Sequence, residues 1–325
     1  MIGDTTENNS VPEDKKFTLD LGEQTITGMF INNGNLTIIG PGTMQNTNLT
    51  TLINNGTLNI YGATIKVTND NTTKTIIAVL NYATINMTGG IITASSSAEE
   101  VHSLHNYGKF NGIGGTISLA SGPGSAVMNY FTFTASNMTI TSSGFGLVTI
   151  KDSSITDTPI TKVAGGSIST TSSEVTSVAL LVRQGKAETN STIISATSGY
   201  VVYNETGVAA NLLIRSRAAN YGLTGNLSPL AFVATTNIAP GQSLEQVTFY
   251  NTGCEYTLSP VWSDNGGQDD ITWTSSRSSS NNSTHTFTIR KSEHKDDTGI
   301  YQVELYESNS SWEPVKWRTG IQITF

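Results

Sequence analysis

Apolar and polar positions alternate along the first two thirds of the chain in short runs, which Gly, Asn and Ser separate. Such alternation is typical of β-strands that bury one face. The run recurs with small changes, and its central apolar residues are Ile26, Met44, Ile65, Ile92, Ile117, Ile140, Ile168 and Ile193. The steps between neighbouring centres are 18, 21, 27, 25, 23, 28 and 25 residues. A repeat of this length predicts a solenoid.

Two further rows accompany the first. One comprises pairs such as Leu58 and Ile60, and the other ends the repeats in the words FINNG (30–34), LINNG (52–56) and VLNYA (79–83). Three short strands in each repeat predict a right-handed parallel β-helix of about eight coils. A sandwich of hairpins is the alternative, but it does not need the same residue type at the same corner in every repeat. We expect the β-helix to span 17–235, after a polar tail or cap at 1–16.

The corner words predict both a turn and a ladder. We expect Gly56 to accept a positive φ at the NNG corner, and Gly62 to mark the next corner. Asparagine recurs at equivalent places, so one row is predicted to point inward as a hydrogen-bonded structural ladder: Asn32, Asn54, Asn81, Asn106 and Asn129.

The row that follows the asparagines carries Tyr82, Tyr107 and Tyr130. Their parity with the apolar row of Ile31, Ile53, Leu80 and Met128 favours the inside of the coil. If they face outward instead, they form an aromatic stripe suited to stacking on sugar rings or on a protein partner.

Composition and charge exclude several classes. Only 13% of the residues are charged and the net charge is −8, so nucleic acid is not an expected partner. Cys254 is the only cysteine, which excludes an internal disulfide and a cysteine-based zinc site. No long apolar run predicts membrane insertion. We expect no metal and no cofactor, and we interpret the chain as a piece of a longer exported protein.

The last 86 residues, 240–325, differ in composition, because all four tryptophans lie there and the repeat words stop. Short alternating strands predict an Ig-like β-sandwich. The run DDTGIYQV (296–303) has the pattern of a tyrosine corner, in which Tyr301 donates a hydrogen bond to nearby backbone. Trp262 and Trp273 are predicted to have structural roles.

Two resemblances add to this interpretation. The segments VWSDNGGQDDITW (261–273) and SEHKDDTGIYQVELY (292–306) resemble the group B streptococcal Bsp-like repeat, with Thr274 where the family usually has an aromatic residue. The resemblance implies an exported protein of a Gram-positive bacterium, in which the module stands beside peptidoglycan hydrolase or adhesin domains. The repeats that begin with FTLDLGEQTITG (17–28) resemble the β-helical regions of Gram-positive surface adhesins.

The candidate chemistry is concentrated in the fourth coil. Glu100 and His105 have the side chains for general acid and base catalysis, but adjacent glutamates are typical of a solvated loop, and we assign no catalytic residue. The longest early excursions, 68–75 and 95–103, favour a binding face, because insertions on a solenoid collect on one side. The predicted ligand-binding residues are Asn69, Lys74, Glu99, Glu100, His102, Tyr82, Tyr107 and Tyr130.

These observations predict a non-enzymatic adhesin or binding protein, extracellular and associated with the bacterial cell wall. The expected partner is a host glycoprotein or glycan, including mucins or immunoglobulins, or a cell-wall polysaccharide. Two alternatives remain open. One is a carbohydrate-active β-helix enzyme, a polysaccharide lyase or hydrolase. The other is a cell-wall-targeting module of a peptidoglycan hydrolase.

Overall fold

A computed structural model describes residues 9–69, 73–206, 208–216, 226–227, 232–236, 242–250, 252–278 and 284–325. These residues form two compact units. The first lies within 1–187, 192–203 and 222–227, and the second within 188–191, 204–221 and 228–325. The predicted boundary at 236–240 lies mostly outside the described residues. Nowhere in the described ranges does a helix reach the length and apolarity needed to cross a membrane.

The described residues form short strands almost throughout. In chain order the first half comprises β1 (Asn9–Val11), β2 (Lys16–Asp20), β3 (Thr25–Thr27), β4 (Phe30–Asn32), β5 (Asn35–Ile39), β6 (Thr43–Asn46), β7 (Thr50–Asn54), β8 (Thr57–Tyr61), β9 (Thr64–Thr68), β10 (Ile76–Asn81), β11 (Thr84–Thr88), β12 (Ile91–Ser95), β13 (Val101–Asn106), β14 (Lys109–Ile113), β15 (Thr116–Ser121), β16 (Gly124–Asn129), β17 (Thr132–Ser136) and β18 (Thr139–Ser142). The rest are β19 (Phe145–Thr149), β20 (Ile160–Ala164), β21 (Ser167–Thr170), β22 (Val178–Val182), β23 (Lys186–Asn190), β24 (Ile193–Ala196), β25 (Tyr200–Asn204), β26 (Leu212–Ser216), β27 (Asn226–Leu227), β28 (Phe232–Thr236), β29 (Leu244–Tyr250), β30 (Tyr256–Ser263), β31 (Thr272–Arg277), β32 (His285–Arg290), β33 (Ile300–Ser308) and β34 (Pro314–Thr324).

Up to β25, every third strand of the first unit joins the same parallel sheet. Sheet 1 has the order β1-β4-β7-β10-β13-β16-β19-β22-β25-β27, sheet 2 begins β2-β5-β8-β11-β14-β17-β20, and sheet 3 runs from β3 to β24 in the same way. Equivalent residues are paired between coils, as Leu58 is with Leu36 and Ile85. This arrangement confirms the predicted all-β solenoid of about eight coils, each of which rests on its neighbours.

The apolar rows form the core of the solenoid. Leu58, Ile60 and Ile65 are fully buried, as are their partners in neighbouring coils. Phe110 and Phe133 continue the row of Leu58 and stack inside with ring centroids 4.7 Å apart. The core is therefore a set of ladders parallel to the axis, because a strand spacing of about 4.8 Å brings equivalent side chains into contact.

An asparagine ladder runs inside one corner. Each side-chain amide donates to the amide oxygen of the next coil, at 2.7 Å from Asn32 to Asn54, from Asn54 to Asn81 and from Asn81 to Asn106, and at 2.8 Å from Asn106 to Asn129. The same amides also donate to backbone carbonyls, such as that of Thr84. The ladder thus satisfies buried polar groups at a corner where the backbone leaves one sheet for the next.

Sheet 1 bends at a row of small residues. From β7 to β19 its register skips one residue in each strand; for example, Ile77 pairs with His102 and Val79 with Leu104, while Ala78 lies unpaired between them. The residues at this place are buried and small: Thr51, Ala78, Ser103, Ala126, Gly146 and Ala179. Because two consecutive residues face inward at the bend, residues three apart, rather than two, share the outer side.

The glycine prediction is right at one corner and wrong in its reason at the other. Gly62 has a φ of 79°. Gly56 does not have a positive φ, but a Cβ there would lie 2.0 Å from the carbonyl oxygen of Gly34. Glycine at the NNG corner therefore permits the close approach of successive coils.

The second unit contains a C-terminal antiparallel sheet with the order β31-β30-β33-β34. Strands β28, β29 and β32 also pair antiparallel. Residues from both groups share one core, including Phe249 and Phe287 from the latter and Val261, Val303 and Ile323 from the former. Two strand layers thus bury one set of side chains between them.

Tyr301 lies in this core and its hydroxyl donates to the carbonyl of Asp297 at 2.8 Å. We expect Tyr301→Phe to reduce the free energy of unfolding of this unit by about 1 kcal/mol, since the partly buried carbonyl of Asp297 loses its hydrogen-bond donor. Urea titration followed by tryptophan fluorescence measures this unit, which holds all four tryptophans. Tyr306→Phe is the matched control, because its hydroxyl contacts only the part-exposed Glu304. Equal losses in the two variants would contradict the role assigned to Tyr301.

Candidate binding surface of the solenoid

The outer side of sheet 1 carries most of the predicted ligand-binding residues, and its edge borders a cleft. Since Asn54 and Leu52 face the core, Ile53 between them faces outward, and Leu80 and Met128 follow the same row. The prediction that this apolar row lies inside is wrong, although its shared parity with the tyrosine row is right. The buried asparagines take the inward-facing positions, so the apolar row and the tyrosine row, which have the opposite parity, face outward.

The tyrosines form a ladder on the outside of the corner. Tyr82 is 53% exposed, and Tyr107 and Tyr130 are half-buried. Tyr107 stacks on Tyr130 with centroids 4.3 Å apart and planes 2° apart, and on Tyr82 at 5.4 Å. The ring faces therefore contact one another, so the row presents ring edges and hydroxyls rather than a flat platform. Burial raises the pKa of Tyr107 and of Tyr130, which keeps both hydroxyls protonated as hydrogen-bond donors.

A histidine cluster lies beside the ladder. Nδ1 of His102 is 2.8 Å from the hydroxyl of Ser125. Nε2 of His102 is 3.0 Å from Oε1 of Glu100, which is ion-pair range, although the two atoms are not aligned as a hydrogen bond. This contact lowers the pKa of Glu100 to about 2, and the hydroxyl of Thr75 donates to the same carboxylate at 2.9 Å. Glu100 is therefore a carboxylate at neutral pH.

His105 joins the cluster because of the bend, which places residues three apart on one side. Its ring lies 4.2 Å from that of His102 and 5.7 Å, edge-on, from that of Tyr130. His105 is buried, and its Nε2 has no hydrogen-bond partner. Burial lowers the pKa of His105 to about 3, so the ring is neutral at physiological pH.

The remaining predicted residues lie in the loops that connect sheet 3 to sheet 1. Lys74 and Glu99 are exposed, and Asn69 is half-buried with its backbone N–H donating to Ser95 at 3.3 Å. Residues 70–72 of the first excursion lie outside the described residues. The two excursions occupy the same corner in successive coils, whereas the tyrosines lie at the other end of the sheet 1 strands. The predicted set is thus spread across the outer side of sheet 1, with Glu100 and His102 between its ends.

A cleft of about 500 Å³ opens at the corner that carries the excursions. Its lining residues are Gly122, Pro123, Gly124, Ser143, Gly144, Phe145, Thr171, Ser172, Ser173, Glu174, Thr176 and Ser177. The cleft forms because the connections at 122–123 and 143–144 are short and lack bulky side chains, while the connection at 171–177 is long. Phe145 pairs with Ser125, which contacts His102, so the cleft and the histidine cluster are adjacent along one row.

Sequence reasoning missed the cleft and its residues Phe145 and Glu174. The available signal was the hydroxyl-rich run TTSSEVTS at 170–177, which is another long excursion at the same corner. Trp262 and Trp273, predicted as structural, lie in the second unit, where Trp262 is half-buried and Trp273 is exposed. Within the described ranges, no three His, Cys, Asp or Glu side chains are placed to hold a metal ion.

Comparison with known families finds one match. A model described as the GBS Bsp-like repeat matches residues 235–318, which lie in the second unit. The resemblance of this segment to that repeat is therefore confirmed. Comparison with curated proteins gives no match. No solved structure matches the chain.

Proposed function

We propose that this chain is a non-enzymatic, extracellular binding protein of the adhesin type, whose solenoid recognises a glycan or the glycan part of a host glycoprotein. The single observation that carries the proposal is the corner cleft. Its lining combines serine and threonine hydroxyls, half-buried glycine backbone, one aromatic ring and one carboxylate. A sugar has hydroxyls that both donate and accept, and apolar C–H groups that pack on an aromatic ring, so these groups are complementary to it.

The neighbouring surface extends the same chemistry along the solenoid. The tyrosine ladder adds hydroxyls at the coil spacing, and Glu100 adds a carboxylate that is ionised at neutral pH. A ligand that repeats along its length, such as an oligosaccharide, gains contacts from several coils at once.

The protonation states support binding over catalysis. An enzyme that used Glu100 and His105 as its acid and base would need one of these two side chains to hold a proton at working pH. The pKa of Glu100 is about 2 and that of His105 about 3, so neither is protonated at neutral pH. We therefore rank the carbohydrate-active enzyme below the binding protein.

Location and finer architecture belong to the same proposal. We place the protein at the cell surface of a Gram-positive bacterium, and the Bsp-like repeat at 235–318 supports this placement. We take the solenoid to be right-handed, as parallel crossovers generally are. We also take the second unit to be an Ig-like sandwich, which its two strand layers and the Tyr301 hydrogen bond support.

The test is binding of the full chain to an array of glycans and host glycoproteins. Ser173→Trp places a large side chain in the cleft from an exposed position. We expect this variant to lose at least tenfold in affinity, and Glu174→Gln to lose several-fold. Thr134→Trp makes the same change at an exposed position on sheet 2 and is expected to leave affinity unchanged. Equal binding by Ser173→Trp and the wild type, or cleavage of an arrayed polysaccharide, would overturn the proposal.

A further inference from the structure

The antiparallel sheet of the second unit has one face in the core and one face outside. Val261 on β30, Val303 on β33 and Ile321 on β34 face inward and belong to the core described above. Residues of opposite parity face away from it, among them Trp273 on β31 and Tyr306 on β33. The register places Trp273 opposite Pro260, and Tyr306 opposite both Leu258 and Trp317.

Three aromatic side chains consequently form a row across the strands, which we call the aromatic face: Trp273, Tyr306 and Trp317. The rings of Trp273 and Tyr306 have centroids 5.9 Å apart. Trp273 and Trp317 are 51% and 50% exposed. Trp273 and Trp317 stand on strands three spacings apart and are offset by two residues along the strands, so they are about 16 Å apart, which is roughly the length of three sugar rings.

These tryptophans are not explained by the packing of the unit. The core is formed by the opposite face of the sheet, and half of each indole remains in water. Removing apolar surface from water is favourable by about 25 cal/mol per Å², so a partner that covered these rings would gain that free energy on binding. An exposed aromatic row of this kind is a feature that marks binding surfaces.

The groups around the row define the ligand chemistry. The hydroxyl of Tyr306 donates to Oε2 of Glu304 at 3.0 Å, which places a carboxylate at the middle of the row. Gly320 lies opposite Glu304 on the neighbouring strand, so no side chain blocks access from that side. The carboxylate repels anionic lipid headgroups and sulfated sugars, and it accepts hydrogen bonds from neutral hydroxyls. Flat apolar rings beside a hydrogen-bonding carboxylate complement a pyranose, which has a C–H face and a rim of hydroxyls.

We propose that the aromatic face binds an uncharged, β-linked glycan, with Trp273 and Trp317 each packing against a sugar ring and Glu304 accepting hydroxyl hydrogen bonds. Equatorial β-linkages keep a glycan chain extended, so that its successive rings can reach both tryptophans across the strands of the sheet. The site is separate from the solenoid cleft and does not depend on it.

The tryptophans themselves report on this site, because all four lie in residues 262–317 and none lies in the solenoid. Titration of the full chain with soluble cello- and chito-oligosaccharides is expected to produce a saturable change in tryptophan fluorescence. Trp317→Ala is expected to weaken binding at least tenfold. Trp273→Ala should do the same, and Glu304→Gln should weaken it several-fold while leaving the fluorescence change intact.

Two controls separate this proposal from others. Ile300→Ala changes an exposed residue of the same sheet far from the row and should bind as the wild type does. Glu174→Gln, which changes the cleft without adding a tryptophan, should also retain the titration even if its array binding is weakened, which separates the aromatic face from the cleft. No fluorescence change at millimolar oligosaccharide, or an equal loss in Ile300→Ala, would overturn the proposal. A change produced by phospholipid vesicles or by a protein, but by no glycan, would overturn the glycan assignment.

Discussion

Asn81→Ala is expected to reduce the free energy of unfolding of the solenoid by about 3–5 kcal/mol. Asn81 is fully buried, accepts from Asn54 and donates to Asn106 at 2.7 Å each, and also donates to the carbonyl of Lys109 at 3.2 Å. Removing the amide leaves several buried groups without this partner, and each costs about 1–3 kcal/mol when it is unsatisfied. The cavity left by the side chain adds to the loss.

The matched control is Asn55→Ala, which changes the exposed asparagine that directly follows the ladder residue Asn54. Asn55 is exposed and its amide donates only to Asn33, at 2.8 Å. Its loss is expected to stay within about 0.5 kcal/mol. Urea titration followed by far-ultraviolet circular dichroism measures both variants, since the solenoid has no tryptophan. A loss below 1 kcal/mol in Asn81→Ala would show that the ladder contributes little to the fold.

The second unit is expected to lose about 3 kcal/mol of stability as the pH rises from about 4.5 to above 7. Glu245 is buried, and burial raises its pKa from 4.5 to about 7, against the opposing effects of Thr235 and Arg215. Arg215 forms an ion pair with Glu188 at 3.3 Å, which limits how far its positive charge stabilises the ionised form of Glu245. Because the folded state holds this proton more tightly than the unfolded state, the stability it provides is complete below pH 4.5. That stability is lost as the pH rises toward 7.

Glu245→Gln separates this titration from the rest of the unit, because glutamine keeps the shape and cannot lose a proton. The variant is expected to have a flatter pH profile and to exceed the wild type in stability at pH 8. Urea midpoints at several pH values between 4.5 and 8, followed by tryptophan fluorescence, measure both profiles. Parallel profiles for the two proteins would show that Glu245 is not the titrating group.

The solenoid was predictable because its evidence is local and repeated. Each coil carries the same apolar positions, and Leu58 or Ile60 needs only an equivalent residue one coil away to be buried. The side of the Ile53 row was not predictable in the same way, because parity tells which residues share a face but not which face is inside. Deciding that requires knowing that Asn54 satisfies its amide between coils.

The binding surface depends on relations that a single repeat does not contain. His102 and His105 meet because Ser103 lies at a bend, whereas simple alternation would place residues three apart on opposite sides. The cleft exists because the connection at 171–177 is longer than two connections before it. Neither the bend nor the difference in loop length appears in any one repeat word.

The asparagine ladder has a direction. Every amide from Asn32 to Asn106 donates to the coil that follows it in the chain, so the amide dipoles align head to tail along the axis. Such alignment polarises each bond in the series. A coil transplanted into this stack must therefore offer an acceptor to the coil before it and a donor to the coil after it. Coils can therefore replace one another only in the same orientation. A reversed coil would lose its asparagine hydrogen bonds to both neighbouring coils.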